Sequence, residues 1–425
     1  MASEKPNVLE EIISPVIPLM EEEAISLGDD IEKYKLSFFP FTLNLLFGII
    51  NGIKSVSLLI THLKSLPKAN ESGFINASNS MYSEAFFRYE PASYRRIFYK
   101  LLEKLNFLKI PEIEALGRFL CVDGSIFPAI KTMSWASYKK AKNAIKMHLA
   151  FELNRMIPVS FISTEANKSE RKMLLKMVEA GVTFIGDRGY ASFNTFREIL
   201  LIRGHFIIRG KSNLVYIIKE NLPIEIPDNW KSLISELKDL KVQFKADKHL
   251  QDYRVVSFTA LGESFLLITD RFDLKTYEVI MLYAYRWQVE LIFRFFKRTL
   301  NALHLMCHEP KGIEIQFTLY MIAYLLLLSF KQECNLKDNI ESTSDNNLGE
   351  NNIEEFQDIN NTDSGKSSSR NKQQSINKYS CGLVSLLGKR LQKYWKVGIH
   401  WLTAVRNLLF ETFTPEIVKT ICILQ

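Results

Sequence analysis

Paired cysteines are missing from this chain. Its five, Cys121, Cys307, Cys334, Cys381 and Cys422, stand singly, with no CxxC among them. Neither a disulfide framework nor a thiolate zinc site is indicated, and a reduced, cytoplasmic setting is the simplest expectation. The N-terminal sequence MASEKPNVLEEIISP carries acids early and does not resemble a secretory leader. Uninterrupted apolar runs of the ~20 residues that a membrane span needs are also lacking. Phe38–Ile60 is broken by Asn44, Asn51, Gly52 and Lys54, and the shorter Ile315–Phe330 contains Gln316 and Thr318. Both read as buried helices, and no membrane partner is expected. There is no internal repeat, no nucleophilic Ser-His-Asp arrangement and no phosphate loop, GDRGY being too short for one.

What is present is ordinary globular composition, 47% hydrophobic and 24% charged over 425 residues. That excludes a wholly disordered or collagen-like chain and leaves room for two or three domains, or one enlarged by insertions. The net charge of +7 hides a partition. Asn335–Gly365 holds Asp338, Glu341, Asp345, Glu350, Glu354, Glu355, Asp358 and Asp363 against Lys337 alone, so the remainder is distinctly basic. The acidic, Asn- and Ser-rich stretch lacks the apolar content to offset ordering entropy and reads as a disordered insert over 335–378. A basic body suits a polyanionic partner, a solvated basic surface being the plainer alternative.

Residues 1–115 read as helical, with segments at Asn7–Ile13, Phe41–Lys64, Ser83–Phe87 and Tyr94–Asn106. From Arg118 the texture changes. RFLCVDGS, IKMHLAFEL and PVSFIS read as strands, SERKMLLKMVEAG as a helix, VTFIGD as a strand, SFNTFREILLIRG as a helix and HFIIRG as a strand. That order, over 116–211, signals an α/β sheet. Residues 212–276 look β-rich, with a hairpin at Gly262. A long helix from Val279 to Leu300 and a second from Ile313 to Phe330 fall within 277–334. The chain ends in a helical region, 379–425, with a helix over Leu383–Leu409.

Three acids stand out. Asp123 ends the first strand and Asp187 the fourth, and strand ends are where sites form in open α/β sheets. Taken singly, each Asp before glycine is more simply a turn former. The third acid, Glu290, lies on a helix with Tyr283, Arg286 and Lys297. At about 100° per residue these four fall at about 0°, 300°, 340° and 320°, inside a ~60° arc, with Tyr285, Ile292 and Phe296 opposite. A solvated face with an i,i+4 Arg286–Glu290 pair would explain the helix alone. Converging carboxylates, however, repel one another, and hard divalent cations relieve that repulsion. Mg²⁺ takes oxygen ligands, and two such ions can serve phosphoryl transfer.

The spacing Y-x2-R-x3-E-x6-K at Tyr283, Arg286, Glu290 and Lys297 resembles the Y-R-E-K signature of bacterial insertion-sequence DDE transposases. Asp187-Arg188-Gly189-Tyr190, followed by Phe193, is similar to that family's second-Asp motif, and Val122-Asp123-Gly124-Ser125 to its first. The likeness covers about Gly117–Phe330. It implies an RNase H-like mixed-sheet core with a β-rich insertion, flanked by helical N- and C-terminal regions. Asp123, Asp187 and Glu290 would be the catalytic, metal-binding triad for Mg²⁺, with Mn²⁺ expected to substitute. The implied activity is cut-and-paste transposition: water-driven cleavage at the element's ends, a hairpin step and strand transfer. Double-stranded DNA would be the partner, as terminal inverted repeats and as target, bound by a homodimer in a synaptic complex. The helical N-terminal region would read the repeats. Candidate DNA contacts are Tyr283, Arg286, Lys297, Arg188, Tyr190, Lys139, Lys140 and Lys142, the lysines from an acid-free stretch, Lys131–Lys146. Trp230 is a weak candidate for the hairpin step, a core role being simpler, and His148 reads as structural. A metal nuclease that cuts without joining, or a non-catalytic DNA-binding derivative, are the alternatives.

Overall fold

A computed structural model describes residues 8–347 except 29–32, 67–72, 140–141, 231–233 and 261–262. The expected C-terminal helix, the Gly262 hairpin tip, Lys140 and the acidic insert beyond Asn347 lie outside the described residues.

Seven helices precede the sheet: α1 (Val8–Ile13), α2 (Ile17–Ser26), α3 (Phe38–Ile50), α4 (Val56–Ser65), α5 (Asn79–Arg88), α6 (Pro91–Lys104) and the short α7 (Pro111–Glu114). α3 is apolar around its whole circumference and, apart from Phe39, wholly buried, as such a helix must be. The single helix expected over Phe41–Lys64 is two, α3 and α4. The break falls at Asn51-Gly52, where Gly52 adopts φ 64°, and Ser55 restarts the helix by accepting the Leu58 N–H at 3.2 Å.

The strands are β1 (Arg118–Ala129), β2 (Ser137–Lys139), β3 (Lys142–Glu152), β4 (Ile157–Glu165), β5 (Val182–Gly186), β6 (His205–Arg209), β7 (Tyr216–Asn221), β8 (Ile234–Phe244), β9 (Asp252–Ala260) and β10 (Glu263–Thr269). α8 (Glu170–Leu174) and α9 (Phe193–Leu201) flank β5 in sequence. All ten strands form one sheet, ordered β2-β3-β1-β5-β6-β10-β9-β8-β7, with β4 also on β3. β1–β5 and β5–β6 pair in parallel, and the remaining pairs are antiparallel. This is the mixed sheet of an RNase H-like core. The β-rich segment extends that sheet, since β10 pairs with β6.

Two expected elements differ. β1 does not stop at Asp123 but runs on to Ala129, held by β3 throughout. The helix read in SERKMLLKMVEAG shrinks to α8, because the backbone leaves it in tight turns (Lys176 N–H to Met173 O, Met177 N–H to Leu174 O) before entering β5.

After the sheet come α10 (Thr276–Ala284), α11 (Trp287–Arg294), a π-helical turn at Phe295–Thr299 and α12 (Pro310–Asn347). The helical backbone of α12 thus continues past the start of the acidic stretch. Its segment Pro310–Glu333 is long and apolar enough to cross a membrane, but 72% of its most apolar window is buried inside the protein. It packs on α3, α5 and α6 on one side and on β4 on the other. Phe317 packs at a tilt against Phe127 of β1 (ring centroids 4.9 Å apart) and Tyr324 donates to the Met156 carbonyl at 3.1 Å. Helical region and sheet therefore share one hydrophobic core.

Two buried arginines fasten the frame. Arg254 of β9 donates to both carboxylate oxygens of Asp239 on β8 (2.9 and 2.6 Å) and to the Arg271 carbonyl at 2.8 Å. Asp239 also accepts from Thr276, at the start of α10, at 2.8 Å. Arg271 reaches Thr183 of β5 at 2.6 Å, the Leu116 carbonyl at 2.9 Å and Asp273 through two 2.8 Å bonds. Fully hydrogen-bonded buried charges of this kind fix geometry. Here they fix the approach of α10 and α11 to the centre of the sheet.

Candidate active site

The register of the parallel pair brings the two aspartates together. β1 and β5 are matched as far as Cys121 opposite Ile185. Carried two residues on, that register sets Asp123 level with Asp187, just past the end of β5, and the Asp187 charge acts on the Asp123 carboxyl. Asp123 is therefore mid-strand relative to β3, opposite Leu149, yet at a strand end relative to β5. Its Oδ1 accepts the Gly124 N–H at 2.8 Å. Asp187 Oδ1 accepts the Gly189 N–H at 2.8 Å, an Asx-type turn that aims the carboxylate off the strand.

Glu290 arrives from above β1. The helix expected to be continuous from Val279 to Leu300 is interrupted. Arg286 N–H bonds Tyr283 O at 3.0 Å and Val289 N–H bonds Arg286 O at 3.1 Å, both i−3 contacts that tighten the junction of α10 and α11. Further on, the Leu300 N–H reaches back five residues to Phe295. π-Turns of this type are frequent at functional sites. The polar stripe survives both irregularities. Arg286 Nη2 donates to Glu290 Oε1 at 2.7 Å, and its Nη1 lies 3.9 Å from Asp123 Oδ2. Its guanidinium lies 5.9 Å from the Tyr283 ring centre. Lys297 Nζ donates to Ser125 Oγ at 2.7 Å, two residues beyond Asp123 on β1.

The electrostatics tie the carboxylates into one site. The Asp123 carboxyl is pushed up from 3.8 to about 7. Burial is the main cause, with the charges of Asp187 and Glu290 adding to it and Arg286 and the Gly124 amide opposing. Burial lowers the pKa of Lys297, against the pull of Asp123. Among the described residues no three His, Cys, Asp or Glu side chains are gathered tightly enough to hold a metal ion. Arg286 stands between Asp123 and Glu290 instead. The donor set nonetheless suits a hard dication: carboxylate oxygens only, one of them on a carboxyl whose charged form burial disfavours and a bound cation would restore.

The remaining expected contacts separate by exposure. Arg188, on the turn after Asp187, and Lys142, opening β3, are exposed. Tyr190 is 2% exposed and Tyr283 7%. As they stand, neither ring can lie on DNA. Tyr190 packs against Gly186, where a Cβ would come within 3.1 Å of its ring, and Tyr283 meets Phe265 edge-on. The Lys139 backbone ends β2, and Lys140 is outside the described residues. Trp230 is buried against Tyr277, as a core residue. Trp135 donates to the His308 carbonyl at 2.9 Å. His148 is buried on β3, with Nε2 3.0 Å from Thr164 Oγ1. Sequence reasoning has no grip on Ser125 as the Lys297 partner, on the two arginine clamps or on Glu170, which stands beside the Asp187 turn. Each acts through contacts between distant segments, and no local spacing announces them.

Residues 114–326 match the protein family described as "Transposase DDE domain". A relative from Sinorhizobium fredii, "Putative transposase y4zB", is 25% identical over 209 residues, covering 48% of this chain and 59% of its own length. "Probable transposase for insertion sequence element IS5377" of Geobacillus stearothermophilus is 25% identical over 199 residues, 46% of this chain and 52% of its own. The chain thus spans between half and three-fifths of these two relatives. A third, from a Synechocystis strain and named for insertion sequence element IS4SA, is 23% identical over 58% of this chain and 70% of its own. Among solved structures, the endonuclease V of Bacillus subtilis aligns with 53% of this chain and 87% of its own at 10% identity, with a TM-score of 0.22, too slight a likeness to carry an argument.

Proposed function

The chain belongs to the transposase DDE domain family, and from that premise we propose that it is a DNA transposase that cleaves the ends of its insertion sequence and joins them to target DNA. The observation that carries the reading is the convergence of Asp123, Asp187 and the Arg286–Glu290 pair where β5 ends beside β1. Asp123, Asp187 and Glu290 would hold Mg²⁺, or Mn²⁺ in its place. When bound, a pair of such ions supplies activation of the attacking oxygen and stabilisation of the leaving one.

The chain's own groups do the rest. Asp123, whose carboxyl is pushed up to about 7, would bind a cation in competition with a proton. Arg286 holds Glu290 and lies beside Asp123, where its guanidinium would meet a DNA phosphate. Lys297, anchored on Ser125, sets a fixed positive charge along the same strand. Phosphate contacts of this kind position the duplex without reading its sequence. Arg188 and Lys142, both exposed, extend the basic rim. The partners are double-stranded terminal inverted repeats and target DNA, engaged by a homodimer in the cytoplasm, with the helical N-terminal region reading the repeats.

The test is cleavage of a DNA fragment carrying the element's end, with Mg²⁺ present. Asp187→Ala and Glu290→Gln should each abolish it, and either variant cutting as fast as wild type would refute the assignment. Precut ends bearing a 3′-hydroxyl should be joined to target DNA. Cutting without joining would make the protein a metal nuclease instead, and binding without either would make it a non-catalytic derivative.

A further inference from the structure

Glu170, the first residue of α8, lies close both to Gly124, next to Asp123 on β1, and to Gly189 in the turn after Asp187. Two glycines mark its position. A Cβ placed on Gly189 would stand 2.6 Å from Glu170 Oε2 and 3.0 Å from Asp187 Oδ1, so both carboxylates border the same small space beside this glycine. A Cβ on Gly124, next to Asp123, would stand 3.3 Å from Glu170 Oε1. The carboxylate thus sits in the space that both glycines leave open. Neighbouring Arg171 secures the arrangement by donating to the Gly189 carbonyl at 3.0 Å.

Like charges at this separation need an offset, and Lys146 of β3 supplies one, its Nζ donating to Glu170 Oε1 at 3.0 Å. A second, independent feature points into the same space. His148, 2% exposed, leaves Nδ1 without a hydrogen-bond partner, and that atom lies 3.5 Å from the same point above Gly124. A buried polar atom left unpaired is costly, and here it borders a carboxylate cradle.

We infer that Glu170 is a fourth acidic member of this site, whose charge sets how tightly Asp123 and Asp187 hold a divalent cation, with Lys146 as the opposing weight. The inference rests on the proposed metal-dependent reading. It distinguishes a role in charge from a role in shape. Removing Glu170's charge weakens cation binding, while removing Lys146's charge strengthens it. If the pair merely braced α8 against β3, both substitutions would loosen the site and weaken binding alike.

The experiment is titration of the full-length, metal-free protein with Mn²⁺, followed by loss of the free-ion electron paramagnetic resonance signal, without DNA. Glu170→Gln keeps the shape and a hydrogen bond to Lys146, and should raise the Mn²⁺ dissociation constant roughly tenfold or more, the effect of one charge a few ångströms away in a partly buried site. Lys146→Gln should lower it by a comparable factor. Circular dichroism confirms that each variant is folded, and Lys146→Met serves if Lys146→Gln is not. Unchanged affinity in Glu170→Gln, or weakening in both variants, overturns the inference. Asp187→Asn is the control for the underlying reading. If Asp187→Asn binds Mn²⁺ like wild type, the metal-site reading itself fails. If Asp187→Asn loses binding while Glu170→Gln does not, only the role of Glu170 falls.

Discussion

Replacing Asp123 by Asn should stabilise the metal-free fold at alkaline pH while destroying its chemistry. Folding lifts the Asp123 carboxyl from 3.8 to about 7. Below about pH 4 the group is protonated in folded and unfolded chains alike and contributes nothing. As pH rises towards 7 the unfolded chain releases this proton first, so the folded state loses ground, and above 7 the loss is complete. About three pH units at roughly 1.36 kcal/mol each give a ceiling near 4 kcal/mol. The side chain keeps 20% of its surface in solvent, and allowing for that screening we take about 2 kcal/mol. Asparagine avoids the cost, and its Oδ1 can still accept the Gly124 N–H. The assay is urea unfolding in EDTA at pH 5 and pH 8.5 for wild type and Asp123→Asn. Part of that cost is already present at pH 5, where the unfolded chain has lost this proton, so the variant's advantage should grow by roughly 1 kcal/mol between the two. Mg²⁺ should restore wild type at pH 8.5 and leave the variant unmoved, since only a state that binds the ion gains from it. An advantage equal at both pH values, or one that shrinks with rising pH, would refute the electrostatic account of the site.

Other perturbations read different parts of the same frame. Asp239→Ala strands Arg254 in the interior and should cost about 3–5 kcal/mol in urea unfolding; a loss below about 1 kcal/mol would mean that the clamp between β8, β9 and α10 is dispensable. Lys297→Ala should weaken binding of unrelated DNA sequences about equally and lessen the log–log salt slope by about 1, measured by fluorescence anisotropy at several salt concentrations. An unchanged slope would mean that Lys297 touches no phosphate.

What the sequence discloses about this site is what short-range periodicity can encode. The arc of Tyr283, Arg286, Glu290 and Lys297 is readable because helical geometry repeats locally, and it survives a tightened junction and a π-turn that no spacing reveals. Asp187 at the end of VTFIGD is readable because a buried strand running into a polar turn has a clear signature. The extent of β1 is hidden because Gly124 and Pro128 look like strand breakers. Pro128 is tolerated because β5 has already ended, leaving no parallel neighbour to need its N–H. β7 is hidden for another reason: as the last strand of the sheet, with mostly exposed side chains, it lacks any apolar alternation. Glu170 has no local mark at all, since its place depends on glycines 46 residues behind and 19 ahead of it in the chain.

Because α12 lays one face on α3, α5 and α6 and another on β4, the helical region and the sheet cannot be cut apart at the Gly117 junction without exposing apolar surface on both pieces. A fragment beginning at β1 would keep α12 on β4 but strip it of α3, α5 and α6, which pack against it. The leading helices are thereby held at a set distance and angle from Asp123, and neither part can shift without the other.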